Sequence, residues 1–153
     1  MKKQAIVSIE KAKLEDVQVI GKLFNDYRIF YQQPSDLKLA QAFLTARLEK
    51  QDSVILVAKN RANDTLGLCQ LYPSFSSISA QATWILNDLF VIQSARQQGI
   101  ATQLLERAKV FAQQTQAKGI SLVTGKSNFH AQNLYQTLGY QQQKFLSYYL
   151  PLL

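Results

Sequence analysis

A mixed α/β chain of the α+β kind, in which helices interrupt a mostly antiparallel twisted sheet, is what the sequence predicts. Three observations carry that reading. Apolar residues recur at helical spacing in two stretches: Leu14, Val17, Ile20, Phe24, Tyr27 and Tyr31, then Ile100, Leu104, Leu105, Ala108, Phe111 and Ala112. Runs rich in β-branched and aromatic residues, SVILVAK, LGLCQLYPSF and TWILNDLFVI, lie between them and read as strands. The first two runs are joined only by NRANDT, whose Asn63 and Asp64 are turn formers, so they make an antiparallel hairpin.

Residues 5 to 11 are the first strand. The helix from Leu14 ends before Pro34, whose ring cannot continue it. Ser35 is placed to cap a second helix running to about Lys50, with Asp36 in its first turn, where a carboxylate suits the helix dipole. After the hairpin and the strand ending at Val91, the next helix begins near Ile100 and has Gly119 at its C-cap. ISLVT is a further strand, Asn128 caps a short helix that Gly139 ends, and FLSYYL is a terminal strand.

At 153 residues the chain has room for one domain with a proper core, spanning 1–153, and too little for two. No apolar run reaches the roughly 20 residues of a membrane helix, and MKKQAIVSIEKAK lacks a signal-peptide core, so a cytoplasmic protein is expected. The one cysteine, Cys69, excludes an internal disulfide and zinc sites built on cysteine pairs, and its apolar setting makes it a packing residue. The one histidine, His130, lies far from it in sequence and reads as a surface residue. A formal net charge of +7 suits nucleic acid, an acidic substrate or a polyanionic cofactor. The basic residues are scattered rather than clustered, which argues against nucleic acid and leaves attraction of a phosphorylated ligand.

Between strand and helix the chain reads QSARQQGIAT, residues 93–102. A helix opening after one glycine leaves its first N–H groups pointing outward, a ready site for a phosphate. Gly99 lets backbone approach a ligand closely, Ala101 keeps the first turn slim, and Arg96 adds charge. Further on, NFHAQNLYQTLGY sets an Asn, an Ala, a Leu-Tyr pair and a Gly-aromatic pair at fixed spacing after a strand.

On these residues the chain resembles the GNAT family of N-acetyltransferases. The family's acetyl-CoA turn, Arg or Gln followed at the third position by Gly and at the fifth by Gly or Ala, is matched by Arg96, Gly99 and Ala101. Its later motif is matched by Asn128, Ala131, Leu134, Tyr135, Gly139 and Tyr140. Within the family, ILNDLFV and SNFHAQNLYQTLGY look most like the yeast histone and polyamine acetyltransferase branch. The resemblance implies acetyl-CoA as co-substrate, no metal, and direct attack of an amine on the thioester. It implies that the backbone of Leu89, Phe90 and Val91, near a bulge, pairs with the pantetheine arm and polarises the thioester carbonyl. It implies that N–H groups of Gln97, Gln98, Gly99, Ile100, Ala101 and Thr102, with Arg96, hold the pyrophosphate, and that Asn128 contacts the cofactor, caps its helix, or both. Tyr135 would be the general acid, since a phenol with a pKa of about 10 keeps its proton at neutral pH.

Related spermidine/spermine acetyltransferases carry Glu where this chain has Asn87, and an Asn cannot be a base. That leaves Asp88, or a chain of waters, to take the proton of the amine. Tyr31, Asp36, Tyr72 and Trp84 are candidates for the acceptor site, an aromatic and acidic set that suits a cationic amine. The acceptor is a polyamine, another small amine, or a protein lysine or N-terminus. A non-catalytic acyl-CoA-binding domain on the same scaffold is the alternative. The apolar end FLSYYLPLL further implies a homodimer paired through C-terminal strands, as in the yeast branch.

Overall fold

The computed structural model describes residues 4–153, and the chain divides into two units, Met1–Val123 and Thr124–Leu153. The first unit holds β1 (Ser8–Lys11), α1 (Val17–Phe30), α2 (Leu37–Lys50), β2 (Val54–Lys59), β3 (Thr65–Ser76), β4 (Gln81–Val91), α3 (Ile100–Gln114) and β5 (Ile120–Ser121). The strands form one sheet in the order β1-β2-β3-β4-β5, antiparallel except for the parallel β4–β5 pair. This is the α+β arrangement expected, with a short 3₁₀ turn at Leu14–Asp16 opening the first helix.

Successive side chains of a strand point to opposite faces, and this sheet is covered on both. On one face, Ile20, Leu23 and Phe24 of α1 and Ala40 and Leu44 of α2 pack on Ile55, Val57 and Leu68. Their strand neighbours Leu56, Cys69 and Leu71 point the other way, toward the side of α3, whose Ile100, Leu104, Leu105 and Ala108 are buried. Gly67 permits that approach: a Cβ there would sit 2.9 Å from the Phe90 carbonyl oxygen and 3.2 Å from Leu104 Cδ1. Cys69 is fully buried, and burial, then the charge of Asp88, pushes its thiol well up.

Four details correct the sequence expectations. Asp36, not Ser35, caps α2, its Oδ1 accepting from the Leu39 N–H at 2.9 Å. Ser35 instead accepts from the buried Asn25 Nδ2 at 3.0 Å, while Asn25 Oδ1 accepts from the Asp36 N–H, so Asn25 ties the end of α1 to the start of α2. Gly119 is no C-cap. Helix α3 stops at Gln114, where Thr115 Oγ1 bonds back to the Ala112 carbonyl oxygen and Gln116 takes the left-handed conformation at φ 57°. The Gly119 carbonyl oxygen accepts from the Trp84 N–H and so begins β5, which is two residues long rather than five.

The fourth correction concerns the chain end. The second unit holds α4 (Phe129–Thr137), and no strand forms among its described residues 141–153. Phe145, Leu146, Tyr148, Tyr149 and Leu150 are strand-like in composition but exposed. A strand needs a partner ladder as well as propensity.

Candidate active site

One extra residue in β4 shapes the centre of the sheet. Gln70 of β3 faces Asp88, yet the next residue, Leu71, faces Leu86, so Asn87 is unpaired and forms a β-bulge. Leu86 and Asp88, two apart, therefore turn to opposite faces: Leu86 joins Leu71, and Asp88 joins Gln70 on the α1 and α2 side.

Asp88 is 3 % exposed there. Its Oδ2 accepts from Gln70 Nε2 at 2.6 Å and its Oδ1 from Asn87 Nδ2 at 3.1 Å. Gln70, fully buried, accepts in turn from Ser53 Oγ at 2.9 Å. A carboxylate offers about four acceptor positions, and the Tyr27 phenol also bears on it as a donor. Among the described residues no ion pair reaches Asp88.

Tyrosines and phenylalanines gather on the same side. The Tyr27 ring meets Tyr31 edge-on at 5.0 Å and Phe90 at 6.0 Å, and Phe30 lies 6.4 Å from Phe90. The Tyr27 hydroxyl donates to the Asn87 carbonyl oxygen at 3.4 Å. Burial, then the nearby Asp88 carboxylate, holds the Tyr27 phenol far above its ordinary range and pushes Tyr72 up to about 12. Both hydroxyls stay protonated, as donors, at any physiological pH.

The outer edge of β4 opens just beyond this point. Strand β5 pairs only with Trp84 and Ile85, so among the described residues no strand covers Leu89, Phe90 and Val91 on that side. A 3₁₀ turn at Gln93–Ala95 follows. Gln97 at φ 60° and Gly99 at φ 76° then curl the backbone into α3, whose start carries no side-chain cap. Arg96 closes the turn: its Nε donates to the Val91 carbonyl oxygen at 2.9 Å, and its guanidinium lies 5.4 Å from the Phe90 ring centre and 5.7 Å from that of Phe30. The Ala5 N–H donates to the Gln98 carbonyl oxygen at 2.9 Å, so the segment before β1 pins the turn. An uncapped helix start after a left-handed glycine fits a phosphate, and an uncovered strand edge fits an extended amide chain. Those are the two recurring chemistries of coenzyme A.

In the second unit Asn128 caps α4, its Oδ1 accepting from the Ala131 N–H at 3.2 Å. Tyr135 sits in the last turn of that helix, half-buried, its ring 5.7 Å from Tyr140. The Tyr140 N–H closes back on the Tyr135 carbonyl oxygen at 3.0 Å, and Gly139 turns the chain at φ 90°. His130 is exposed.

Of the acceptor-site candidates, Tyr31 and Tyr72 lie on the side of the sheet that holds Asp88. Asp36 is spent on its cap. Trp84 faces the other way, its ring tilted against Phe111 at 4.9 Å with its Nε1 donating to Thr115 Oγ1 at 2.9 Å. Sequence reasoning missed Tyr27, which read as one more apolar position of a helix. It also missed Gln70, although a lone amide inside LGLCQLY was a signal.

A mixed sheet with an uncovered β4 edge, a bulge and a glycine turn into α3 defines an acyl-CoA-dependent acetyltransferase fold, and the chain belongs to the Acetyltransferase (GNAT) family, whose sequence profile matches residues 19–140. Members of this family use acetyl-CoA, and the chain is an acyltransferase of the class that transfers groups other than aminoacyl groups. It is 46% identical over 143 residues to the Uncharacterized N-acetyltransferase YhfO of Bacillus subtilis, covering 94% of this chain and 95% of that one. It is 34% identical over 107 residues to a probable acetyltransferase of Haemophilus influenzae, 70% of this chain and 73% of the other. A crystal structure of a probable acetyltransferase superposes with a TM-score of 0.90 at 40% identity, covering 95% of this chain and 97% of its own.

Proposed function

We propose that the chain is an N-acetyltransferase whose acceptor is a cationic primary amine. One observation carries this reading: Asp88 is a buried carboxylate with no cation beside it among the described residues, set among aromatic rings. A buried charge without a partner is costly, and an incoming ammonium supplies the partner. Rings such as Tyr27, Tyr31 and Phe90 add cation–π attraction, about 0.5–2 kcal/mol each when desolvated. A polyamine or a lysine side chain presents that group. The similarity of ILNDLFV to the yeast histone and polyamine acetyltransferase branch agrees with this choice.

When bound, acetyl-CoA supplies an activated acetyl thioester. The turn from Gln97 to Thr102 holds its phosphates with Arg96, and the backbone of Leu89, Phe90 and Val91 orients its arm. Asp88 accepts the proton that the ammonium must lose before its nitrogen attacks. Tyr135 gives a proton to the departing sulfur; the nitrogen sheds its second proton to solvent as the amide forms, Tyr135 recovers one from solvent, and Asp88 releases the proton it took. Asn128 caps α4 and so fixes the helix that carries Tyr135. The family match over 19–140 supports reading both units as one acetyltransferase domain.

The test compares a primary amine with the alcohol of the same shape as competitors for spermidine in the acetyl-transfer assay. The ammonium compound is expected to bind about tenfold or more tightly, the worth of a charge-assisted bond to Asp88. Equal binding would remove the cationic reading.

A homodimer joined through the chain end belongs to the same proposal. The exposed apolar run from Phe145 to Leu153 supports it, because such a run in water favours pairing with a second copy. Light scattering at micromolar concentration is expected to give twice the chain mass, and half of that after removal of residues 145–153; a monomer for the full chain would exclude the dimer.

A further inference from the structure

We propose that Gln70 is a positioning residue for Asp88, anchored at its far end by Ser53, and that this buried relay aims the carboxylate at the amine. The proposal rests on the reading of Asp88 given above.

An amide side chain has an acceptor end and a donor end, and its surroundings decide which points where. At Gln70 the choice is forced. A carboxylate only accepts, so Nε2 must face Asp88, where it donates to Oδ2 at 2.6 Å, and Oε1 is left to accept from Ser53 Oγ at 2.9 Å. Reversing the amide would set a carbonyl oxygen against a carboxylate and lose the bond to Asp88. Gln70 is fully buried, Ser53 is 8 % exposed, and water does not compete at the middle of the chain.

The bulge gives this relay its purpose. Without Asn87 as an extra residue, Asp88 would share the face of Leu86; with it, the carboxylate lies directly across from Gln70. Asn87 is exposed and holds the other oxygen at 3.1 Å, a weaker anchor than the buried one. The titratable groups that bear on Asp88 from the packed elements are Tyr27 of α1 and Tyr72 and Cys69 of β3. All three keep their protons, and Gln70 is the buried one among the neutral amide donors that fix the carboxylate without neutralising it.

The test uses Gln70→Glu, Gln70→Met and Ser53→Ala beside Asp88→Asn, in the full chain labelled with ¹³C at aspartate carboxyls. The Asp88 resonance is identified by its loss in Asp88→Asn. Gln70→Glu brings a second carboxylate to the first, and the two share a proton. The Asp88 resonance is then expected to titrate at least about one pH unit higher than in the wild type, and kcat/KM for spermidine to rise later with pH by the same amount. Gln70→Met removes the donor and is expected to lower kcat about tenfold, with acetyl-CoA binding by calorimetry unchanged; Ser53→Ala does the same by a few-fold.

If Asp88→Asn lowers turnover while the Gln70 and Ser53 variants leave both titration and kcat at wild-type values, the relay is overturned and the Asp88 reading stands. If Asp88→Asn leaves turnover unchanged, the Asp88 reading falls and the relay with it. Should Gln70→Glu fail to fold, the drop in kcat for Gln70→Met and Ser53→Ala decides the matter alone.

Discussion

Tyr135→Phe lowers kcat by about a hundredfold or more and leaves acetyl-CoA affinity where it was. The change removes one hydroxyl and keeps the ring. Its packing 5.7 Å from Tyr140 and the backbone bonds that close the end of α4 are kept by Phe. What is lost, on the proposed reading, is the proton for the departing sulfur. Separate measurement of kcat by thiol release and of the acetyl-CoA dissociation constant by calorimetry checks the division; a fall in affinity matching the fall in kcat would show a binding role instead.

Asp88→Asn is the second large effect, with kcat/KM for a cationic amine falling about a hundredfold and the melting temperature moving little. The outcome depends on which neighbours can adjust. With Asn at this position, its oxygen keeps the bond from the buried Gln70 Nε2, while its amide faces the Asn87 amide. Two donors repel, but Asn87 is exposed and swings into water. The structure is kept and the negative charge is not. A wild-type pH–rate profile for the variant would place the proton acceptor elsewhere.

The sequence carried the turn into α3 better than the cluster around Asp88, for a physical reason. Phosphate binding is a backbone affair, and it leaves marks that survive in one dimension: Gly99 for a left-handed φ, Ala101 for a slim turn, a helix that follows at once. The core was equally visible, since the 3.6-residue stripe of α3 is the set of residues found buried. Acceptor residues have no such local signature. Tyr27 lies 61 positions from Asp88, and their meeting depends on sheet register. The bulge at Asn87 decides that register; the resemblance implied a bulge nearby, but which residue is unpaired is known only once its partner is. The same limit explains the chain end. FLSYYL has strand composition, yet whether it becomes a strand depends on a partner that the single chain does not supply. The end of α3 shows the opposite case: Gln116 took the left-handed position that Gly119 was expected to fill, because side-chain bonds at Thr115 had already stopped the helix.

The measurement that bears most directly on the function is thiol release from acetyl-CoA by the wild-type chain and by Tyr135→Phe, across polyamines, lysine peptides, aminoglycosides and neutral amine donors. Release with cationic primary amines, and its loss in the variant, is the expected result. Binding of acetyl-CoA with no release to any acceptor in the panel would contradict the assignment of a cationic amine and turn attention to a scaffold that binds the thioester without transferring it.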